Sequence, residues 1–251
     1  MDWGLRLRSL TGRIRVMPDF IIIGAQRCGT TSLYNYLIQH PCIAPSLRKE
    51  VHFFDISFHR GTVWYRSHFP TFLHKTFKRM RARRFITGEA SPYYIFHPHA
   101  PKRIKKLIPN VKLIILLRNP VDRAYSHYHH EVSMGVETLS FEEAIEREEE
   151  RLKGEWERML EDENYYSFNH QHYSYLSRGI YVDQLKVWME LFPKEQILIL
   201  KSEDFYANPA NTFERTLQFL GLPSWELVEY RRHNSISYLP MDASTRRRLL
   251  D

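Results

Sequence analysis

A glycine-bounded loop near the N-terminus has the residue types and spacing of a phosphate-binding site. It spans residues 24–31, between an apolar β-branched run at 20–23 and a segment with helical spacing. Backbone N–H groups of such a loop converge on a phosphate, and the positive end of the following helix favours an anion. The alternative is a glycine turn that binds nothing. The predicted binding residues are Gly24, Ala25, Gln26, Arg27, Cys28, Gly29, Thr30 and Thr31.

The loop departs from the nucleoside triphosphatase pattern in its charge. The lysine expected before the final hydroxyl residue is replaced by Thr30, and the cation lies inside the loop at Arg27. A triphosphatase also uses a carboxylate near a strand end to hold magnesium. Here the apolar run 111–117 ends in Arg118, which repels a metal ion. The pattern therefore favours a phosphate ligand without a required metal.

Alternating apolar runs and helical patterns predict the elements that position these residues. Short apolar runs are typical of buried strands, and amphipathic segments between them are typical of crossover helices. This order predicts an α/β fold: a three-layer, P-loop-like domain with a central parallel sheet of about five strands. Strands are predicted at 20–23, 111–117 and 196–200, the last as a third central strand, and helices at 30–40, 120–132, 141–163, 181–191 and 209–220.

Composition bounds the class of protein. The 251 residues carry a formal net charge of +7, which favours anionic partners in general. Two cysteines cannot build a disulfide framework, so we expect a cytoplasmic protein. We expect residues 1–17 to form a basic leader, since they lack the apolar run of a signal peptide, and 18–251 to form the domain. The longest apolar runs of the sequence have the length of strands and not of a membrane span. An alternative for 3–16 is a short amphipathic segment on a membrane surface.

Several motifs together resemble the family of sulfotransferases that use 3′-phosphoadenosine 5′-phosphosulfate (PAPS). The loop 24–31 is similar to that family's 5′-phosphosulfate loop, and 118–126 to its 3′-phosphate motif. Segment 49–55 resembles the bacterial and Golgi-type branch, which includes heparan sulfate sulfotransferases. The resemblance covers roughly residues 18–245, and family members usually continue with further C-terminal helices. Three more segments are similar to that branch: 178–181, 192–196 and 203–205.

The resemblance implies roles for particular side chains. Arg27, with Thr30 and Thr31, would stabilise negative charge on the departing oxygen, although the family often has lysine at the position of Arg27. Arg118 and Ser126 would hold the 3′-phosphate. The proposed catalytic residues are Glu50 as general base, Arg27, and His52, which orients Glu50 or shares its role.

Other implied contacts are less specific. Segment 231–238 falls where the family places a basic loop over the nucleotide but lacks its Lys-Gly pattern, so Arg231 and Arg232 are candidates only. Arg178 and Tyr181 are expected near the nucleotide. The stretch 165–175, rich in tyrosine and histidine, lines an acceptor groove or is a polar connection.

The resemblance implies PAPS as donor and 3′-phosphoadenosine 5′-phosphate (PAP) as product, with no required metal. The acceptor is a hydroxyl or amine of a glycan, lipid or small metabolite. We expect no nucleic-acid partner, and the oligomeric state stays open. Two alternatives remain: a P-loop-type kinase of nucleotides or small molecules, and a catalytically inactive nucleotide- or polyanion-binding module.

Overall fold

Five parallel strands form the centre of the protein, as seen in a computed structural model that describes residues 3–81, 84–233 and 236–250. Their order in the sheet is β2-β3-β1-β4-β5. The strands are β1 (Phe20–Gly24), β2 (Ile43–Ala44), β3 (Ile86–Ala90), β4 (Lys112–Leu117) and β5 (Ile197–Lys201). The predicted parallel α/β sheet is therefore confirmed.

Fourteen helices surround this sheet within the described residues. They are α1 (Trp3–Leu10), α2 (Thr30–Leu37), α3 (Gly61–Arg66), α4 (Phe72–Arg81), α5 (Ala100–Leu107), α6 (Pro120–Ser133), α7 (Phe141–Glu146), α8 (Glu148–Leu152), α9 (Glu155–Glu161), α10 (Phe168–His172), α11 (Tyr181–Leu191), α12 (Ser202–Ala207), α13 (Pro209–Leu220) and α14 (Ala243–Leu250). Short 3-10 turns lie at Gly12–Ile14, Phe58–Arg60, Ser177–Gly179 and Lys194–Gln196. None of the helices among the residues described is long and apolar enough to cross a membrane.

The apolar runs of β1 and β4 place the phosphate loop at the middle of the sheet. β1 lies between β3 and β4, and its residues Phe20 to Ile23 are fully buried. Parallel strands covered on both faces are expected to be continuously apolar. Since β1 and β4 are adjacent and parallel, their carboxyl ends bring the loop and Arg118 to one edge.

Two predictions about these elements are wrong. The strand at 197–201 lies at the edge of the sheet, not at its centre, and Ile199 is 36% exposed. The predicted helix 141–163 is divided into α7, α8 and α9. The first break lies at Arg147, and the second at Gly154, which adopts a left-handed backbone with φ 75° before α9. Trp156 and Leu160, predicted on an inner stripe, are 43% and 51% exposed.

Strand β3 was absent from the prediction because its sequence is polar. Glu89 is nevertheless fully buried, and its carboxylate accepts hydrogen bonds from the hydroxyls of Tyr65 (2.7 Å), Ser91 (2.7 Å) and Tyr94 (3.2 Å). A buried polar group is tolerated when it is hydrogen-bonded in this way. Gly88 is also required, because an added Cβ would lie 2.5 Å from the Phe20 ring.

Candidate active site

A cavity of about 370 Å³ opens at the carboxyl ends of the central strands. Ligands of open α/β sheets bind at this edge. Its wall is formed mainly by five parts of the chain: the 24–31 loop, the 49–55 segment, α6, α10 and the 231–238 segment. The lining residues are Gln26, Arg27, Gly29, Thr30, Thr31, Glu50, His52, Pro92, Tyr93, Arg118, Ser126, His130, Glu131, Met134, Gln171, His172, Arg178, Tyr206, Arg232, His233, Ile236 and Tyr238.

The loop reaches the cavity through backbone conformations that few residues adopt. Gly29 precedes α2 with φ 91°, in the left-handed region that favours glycine. Arg27 has φ 67°, which is uncommon for a residue with a side chain and clusters at functional sites. The side chains of Ala25 and Cys28 are fully buried, and burial raises the pKa of the Cys28 thiol. Cys28 therefore serves packing rather than thiolate chemistry.

Arg27, Arg118 and Ser126, which we call the phosphate side, come together at one end of the cavity. Arg27 Nε donates to Ser126 Oγ at 3.2 Å, and Arg118 Nη1 lies 3.5 Å from the Arg27 carbonyl oxygen. Burial lowers the pKa of Arg27 below its ordinary value. No carboxylate of the described residues lies within 4.0 Å of either guanidinium, so both charges are open to an anionic ligand.

The start of α6 explains why Arg118 and Ser126, eight residues apart, both reach the cavity. Arg118 directly follows β4, Asn119 caps α6, and Pro120 occupies the first turn of that helix, where a missing N–H costs nothing. Asn119 Oδ1 accepts from the backbone N–H of Val121 at 3.0 Å and of Asp122 at 3.3 Å. The helix then turns Ser126 toward the cavity, where it is 3% exposed.

The 49–55 segment adds Glu50 and His52 to the cavity wall; with Asp55, which contacts His52, we call them the carboxylate side. Glu50 N donates to the Ala90 carbonyl at 2.9 Å, and His52 N donates to Ser91 Oγ at 3.2 Å. These bonds hold the segment at the end of β3. Glu50 and His52 have φ of 60° and 52°, so a second stretch of left-handed backbone contributes to the same cavity as Arg27.

His52 lies between two carboxylates. Its Nδ1 is 2.6 Å from Asp55 Oδ2, and its Nε2 is 3.5 Å from Glu50 Oε2. Burial lowers the pKa of His52, but Asp55 and Glu50 outweigh it and raise the pKa to about 10. Burial raises the pKa of Glu50, but His52 and Lys49 outweigh it and lower the pKa to about 2. At neutral pH the pair is an imidazolium and a carboxylate.

Asp55 is a site residue that the sequence reasoning missed. Its side chain is fully buried, and its second oxygen accepts from the backbone N–H of Ile56 at 2.6 Å. The available signal was its spacing, three residues after His52 and within the segment already singled out. Asp55 fixes the orientation of the His52 ring and keeps the imidazole protonated.

A second missed cluster pairs Glu131 on the cavity wall with two imidazoles, that of His172 on the wall and that of the buried His127. Glu131 Oε2 lies 2.8 Å from His172 Nδ1, and Glu131 Oε1 lies 3.2 Å from His127 Nε2. Burial raises the pKa of Glu131, but these two histidines outweigh it and lower the pKa to about 2. The i, i+4 spacing of His127 and Glu131 on α6 was visible in the sequence, whereas His172 is 41 residues away.

The 165–175 stretch supplies wall residues to the cavity. Gln171 and His172 line it, while His170 is buried and its ring stacks on Phe96 with centroids 4.2 Å apart. Gln171 Oε1 is buried without a hydrogen-bond partner among the described residues. A buried acceptor without a partner is unfavourable, so this oxygen is suited to receive a donor from a ligand.

Arg178 and Tyr181 form hydrogen bonds to residues of the phosphate loop and to Arg118. Arg178 is buried, donates to Gln26 Oε1 through Nη1, and donates through Nη2 to the carbonyls of His170 (2.9 Å) and Gln171 (2.8 Å). Tyr181 donates its hydroxyl to the Arg118 carbonyl at 3.0 Å. Arg178 thereby joins the phosphate loop to the wall that carries Gln171.

Only one of the two candidate arginines in the 231–238 segment reaches the cavity. Arg232 lines it, with its guanidinium carbon 4.6 Å from the centre of the Tyr206 ring. The Arg231 side chain is 75% exposed and pairs with Glu229 at 3.1 Å. Its expected contact with the nucleotide is therefore not supported, because its charge is directed to solvent. Asn234 and Ser235 of the segment lie outside the described residues.

Known proteins resemble this chain over nearly its whole length. The family model for the sulfotransferase domain matches residues 17–246. The membrane-associated sulfotransferase kil1 of Dictyostelium discoideum is 26% identical and is matched over 96% of this chain and 64% of its own length. The mouse heparan sulfate glucosamine 3-O-sulfotransferase 3B1 is 34% identical over 82% of this chain and 46% of its own length.

A solved structure gives the same result for the fold. The sulfotransferase from Alicyclobacillus acidocaldarius superposes with a TM-score of 0.69 at 31% identity, covering 93% of this chain and 90% of that one. The curated relatives are longer, since this chain spans less than two thirds of each of the two described above.

Proposed function

The chain belongs to the sulfotransferase family, and from this premise we propose that it transfers a sulfuryl group from PAPS to a hydroxyl or amine. One observation carries the proposal: one cavity is lined by two guanidiniums that no described carboxylate pairs with, by a serine, and by an ionised carboxylate. A polyanionic donor fits the guanidiniums and the serine, and the carboxylate fits a base for the acceptor.

The donor would be held by charge and by backbone amides. Arg118 and Ser126 are proposed to bind its 3′-phosphate, with Arg232 nearby on the cavity wall. The loop from Gly24, together with Thr30 and Thr31, is proposed to bind the 5′-phosphosulfate at the start of α2. Ala25 and Cys28 would shape the loop rather than contact the donor. Their side chains are covered, and their backbone N–H groups donate to the carbonyls of Leu116 at 2.8 Å and of Ala25 at 3.2 Å.

The proposed reaction is an in-line displacement at sulfur. The acceptor oxygen or nitrogen forms a new bond to sulfur while the bond from sulfur to the bridging phosphate oxygen breaks. The acceptor's proton moves to Glu50, and the electron pair leaves on PAP. Arg27 would stabilise the departing oxygen by charge and not by proton transfer, since a guanidinium stays protonated.

Glu50, with a pKa of about 2, is a weak base, so it can accept the proton only at a late stage of the displacement. The proton of a hydroxyl becomes acidic as its oxygen bonds to sulfur, so a weak base suffices late in the displacement. His52, held cationic by Asp55, would orient Glu50 rather than replace it. These roles stay proposals for Glu50, Arg27 and His52.

We propose a glycan as the acceptor class. Relatives of this chain are named for heparan sulfate as their substrate. The cavity wall near Glu50 offers polar groups, among them Gln171, His172 and Tyr93. The net charge of +7 also suits an acidic polymer. The cytoplasmic localisation, the independence from metal and the lack of a nucleic-acid partner stay predictions.

Calorimetric titration with PAP in the presence of a chelator tests the donor. We expect micromolar binding, with ATP binding much more weakly. Arg118→Ala should weaken PAP binding by about 10- to 100-fold, since a charge-assisted hydrogen bond contributes about 1.5–3 kcal/mol. Arg231→Ala is the matched control and should bind normally, because that side chain is directed to solvent.

Two outcomes contradict the proposal. Tighter binding of ATP than of PAP, seen only with added magnesium, favours the kinase. PAP binding with no transfer from PAPS to any of a panel of glycans, lipids and small alcohols, and with Glu50→Gln no different from wild type, favours the inactive module.

A further inference from the structure

Helix α4 carries an apolar stripe that the rest of the described chain leaves exposed. Phe72 is 64% exposed, Leu73 63%, Phe77 66% and Met80 78%. At about 100° per residue, these four side chains and Thr76 fall within an arc of about 140°. A helix on a protein surface normally turns such a stripe toward the core. In α4 the stripe faces outward.

The opposite side of α4 attaches the helix to the sheet. Lys75 lies about 130° around the helix from the middle of the stripe at 100° per residue. Its Nζ donates to both carboxylate oxygens of Asp19, each at 2.6 Å, and Asp19 immediately precedes β1. This ion pair fixes which side of α4 meets the protein, so the outward direction of the stripe is a property of the fold.

All lysines, arginines, aspartates and glutamates in the two sequence segments around the stripe are of the basic kind. Residues 3–18 contain four arginines, and residues 56–88 contain eight lysines and arginines, with no aspartate or glutamate in either segment. The two segments lie side by side, because Arg8 Nε donates to the Ser67 carbonyl at 2.7 Å and Arg15 Nη1 to the Phe69 carbonyl at 2.7 Å. Near this contact α1 exposes Leu7 (63%) and Leu10 (82%).

An open groove beside α4 adds further cations. It runs along the amino edge of the sheet and is lined in part by Arg79, Arg84 and Lys112. Asp19 is the one carboxylate among its described lining residues, and it is already bonded to Lys75. The groove therefore offers positive charge next to the apolar stripe.

We propose that α4, with α1 and this groove, docks the protein on an anionic lipid bilayer. The stripe enters the interfacial region, while Arg79 and Arg84 face the phosphates of the headgroups. Basic amphipathic helices with phenylalanine and leucine on the apolar face bind membranes in this manner. A nucleic acid would use the cations but leave the stripe uncovered. A second copy would cover the stripe but bring two basic surfaces together.

The position of this surface is compatible with turnover on a membrane. It lies at the amino ends of the strands, whereas the cavity with Arg27 and Glu50 lies at their carboxyl ends. A docked molecule would keep its cavity open on the side away from the lipid. The docking surface does not depend on the proposed sulfuryl transfer, since none of its residues lines the cavity.

Cosedimentation of the full chain with lipid vesicles tests the proposal, without PAPS. We expect binding to phosphatidylcholine vesicles that contain phosphatidylserine, little binding to pure phosphatidylcholine, and weakening by salt. Replacing Phe72, Leu73, Phe77 and Met80 together by serine should weaken binding at least about tenfold. Arg79→Gln and Arg84→Gln should each weaken it about fivefold, because one basic residue near an anionic surface contributes about that factor.

The matched control is the double variant Leu160→Ser, Met189→Ser, whose side chains are 51% and 53% exposed on α9 and α11. It should bind vesicles like wild type. Circular dichroism should give wild-type spectra and melting for all variants, because every altered side chain is exposed.

Three results would overturn the proposal. The first is equal binding to the two kinds of vesicle, or binding to neither. The second is a wild-type dimer in sedimentation velocity that the four-serine variant abolishes, with no vesicle binding. The third is binding of duplex RNA that survives in the four-serine variant, again without vesicle binding. Normal vesicle binding combined with failure to bind PAP would leave the docking surface standing and remove only the sulfuryl-transfer proposal.

Discussion

The phosphate side and the carboxylate side of the cavity are held in place by different kinds of contact. Arg118 and Ser126 sit on a strand end and a capped helix, so the regular elements themselves position them. Glu50, His52 and Asp55 sit on an irregular segment and are positioned by bonds to one another and to the end of β3. Each group on the carboxylate side also sets the charge of its neighbour, which is not true of Arg118 and Ser126.

Because of this difference, we expect variants on the two sides to affect donor binding and the transfer rate separately. A change on the phosphate side should act on the affinity for the donor, because no carboxylate of the described residues is paired with its cations. A change on the carboxylate side should act on the rate and its pH dependence, because every residue there alters the protonation of another. The predictions below test that separation.

Removing the carboxylate of Glu50 should give the largest effect. For Glu50→Gln we expect the transfer rate to fall about 10²- to 10⁴-fold, the range for loss of a general base, with PAP affinity unchanged. Single-turnover transfer from PAPS and calorimetry with PAP measure the two quantities. An equal loss in PAP affinity would show that Glu50 also contributes to donor binding, which contradicts the separation of the two sides.

Asp55→Asn should have an intermediate effect, visible as a change in pH dependence. His52 has a pKa of about 10 in the folded protein, above the ordinary value of 6.5. Its charge therefore contributes stability that is complete below about pH 6.5 and is lost as the pH rises through about 10. Asparagine keeps the hydrogen bond to His52 but removes the charge, so the pKa of His52 in the folded protein should fall. The loss of stability should then be smaller and should be complete at a lower pH.

Melting temperatures from pH 6 to 10 and an NMR titration of the His52 ring measure this shift. We also expect turnover to fall about tenfold, since an imidazole freed of its partner orients Glu50 less well. His127→Gln serves as a control on the other imidazole pair and should leave the His52 titration in place. An unchanged His52 titration in Asp55→Asn would show that the two groups are not coupled.

The smallest effect is expected at Gln171, another residue of the cavity wall. Gln171 Oε1 is buried and unpartnered among the described residues, so we expect it to accept a hydrogen bond from the acceptor substrate. Gln171→Leu should raise the acceptor KM about fivefold, with little change in kcat or PAP affinity. Steady-state kinetics with varied acceptor measure it. A change confined to PAP affinity would instead assign Gln171 to the phosphate side.

Regular elements with strong local patterns were predictable from the sequence. The strand β1, the loop after it, α11 and α13 follow the predicted bounds closely, because apolar period and capping residues are local signals. Strand β3 was not predictable, since its Thr87, Gly88 and Glu89 read as polar. Its burial depends on hydroxyls from other segments that satisfy Glu89.

Sequence motifs alone pointed to Arg27, Arg118, Ser126, Glu50 and His52, and these side chains line one cavity. They lie within short motifs, and their relation to a strand end or a helix start follows from local geometry. Contacts that support the cavity wall come from distant parts of the chain, and only the tertiary structure decided them. Arg178 meets Gln26 across 152 positions, and Glu131 meets His172 across 41. Such contacts depend on how the chain packs around the sheet, and no spacing along the sequence encodes them.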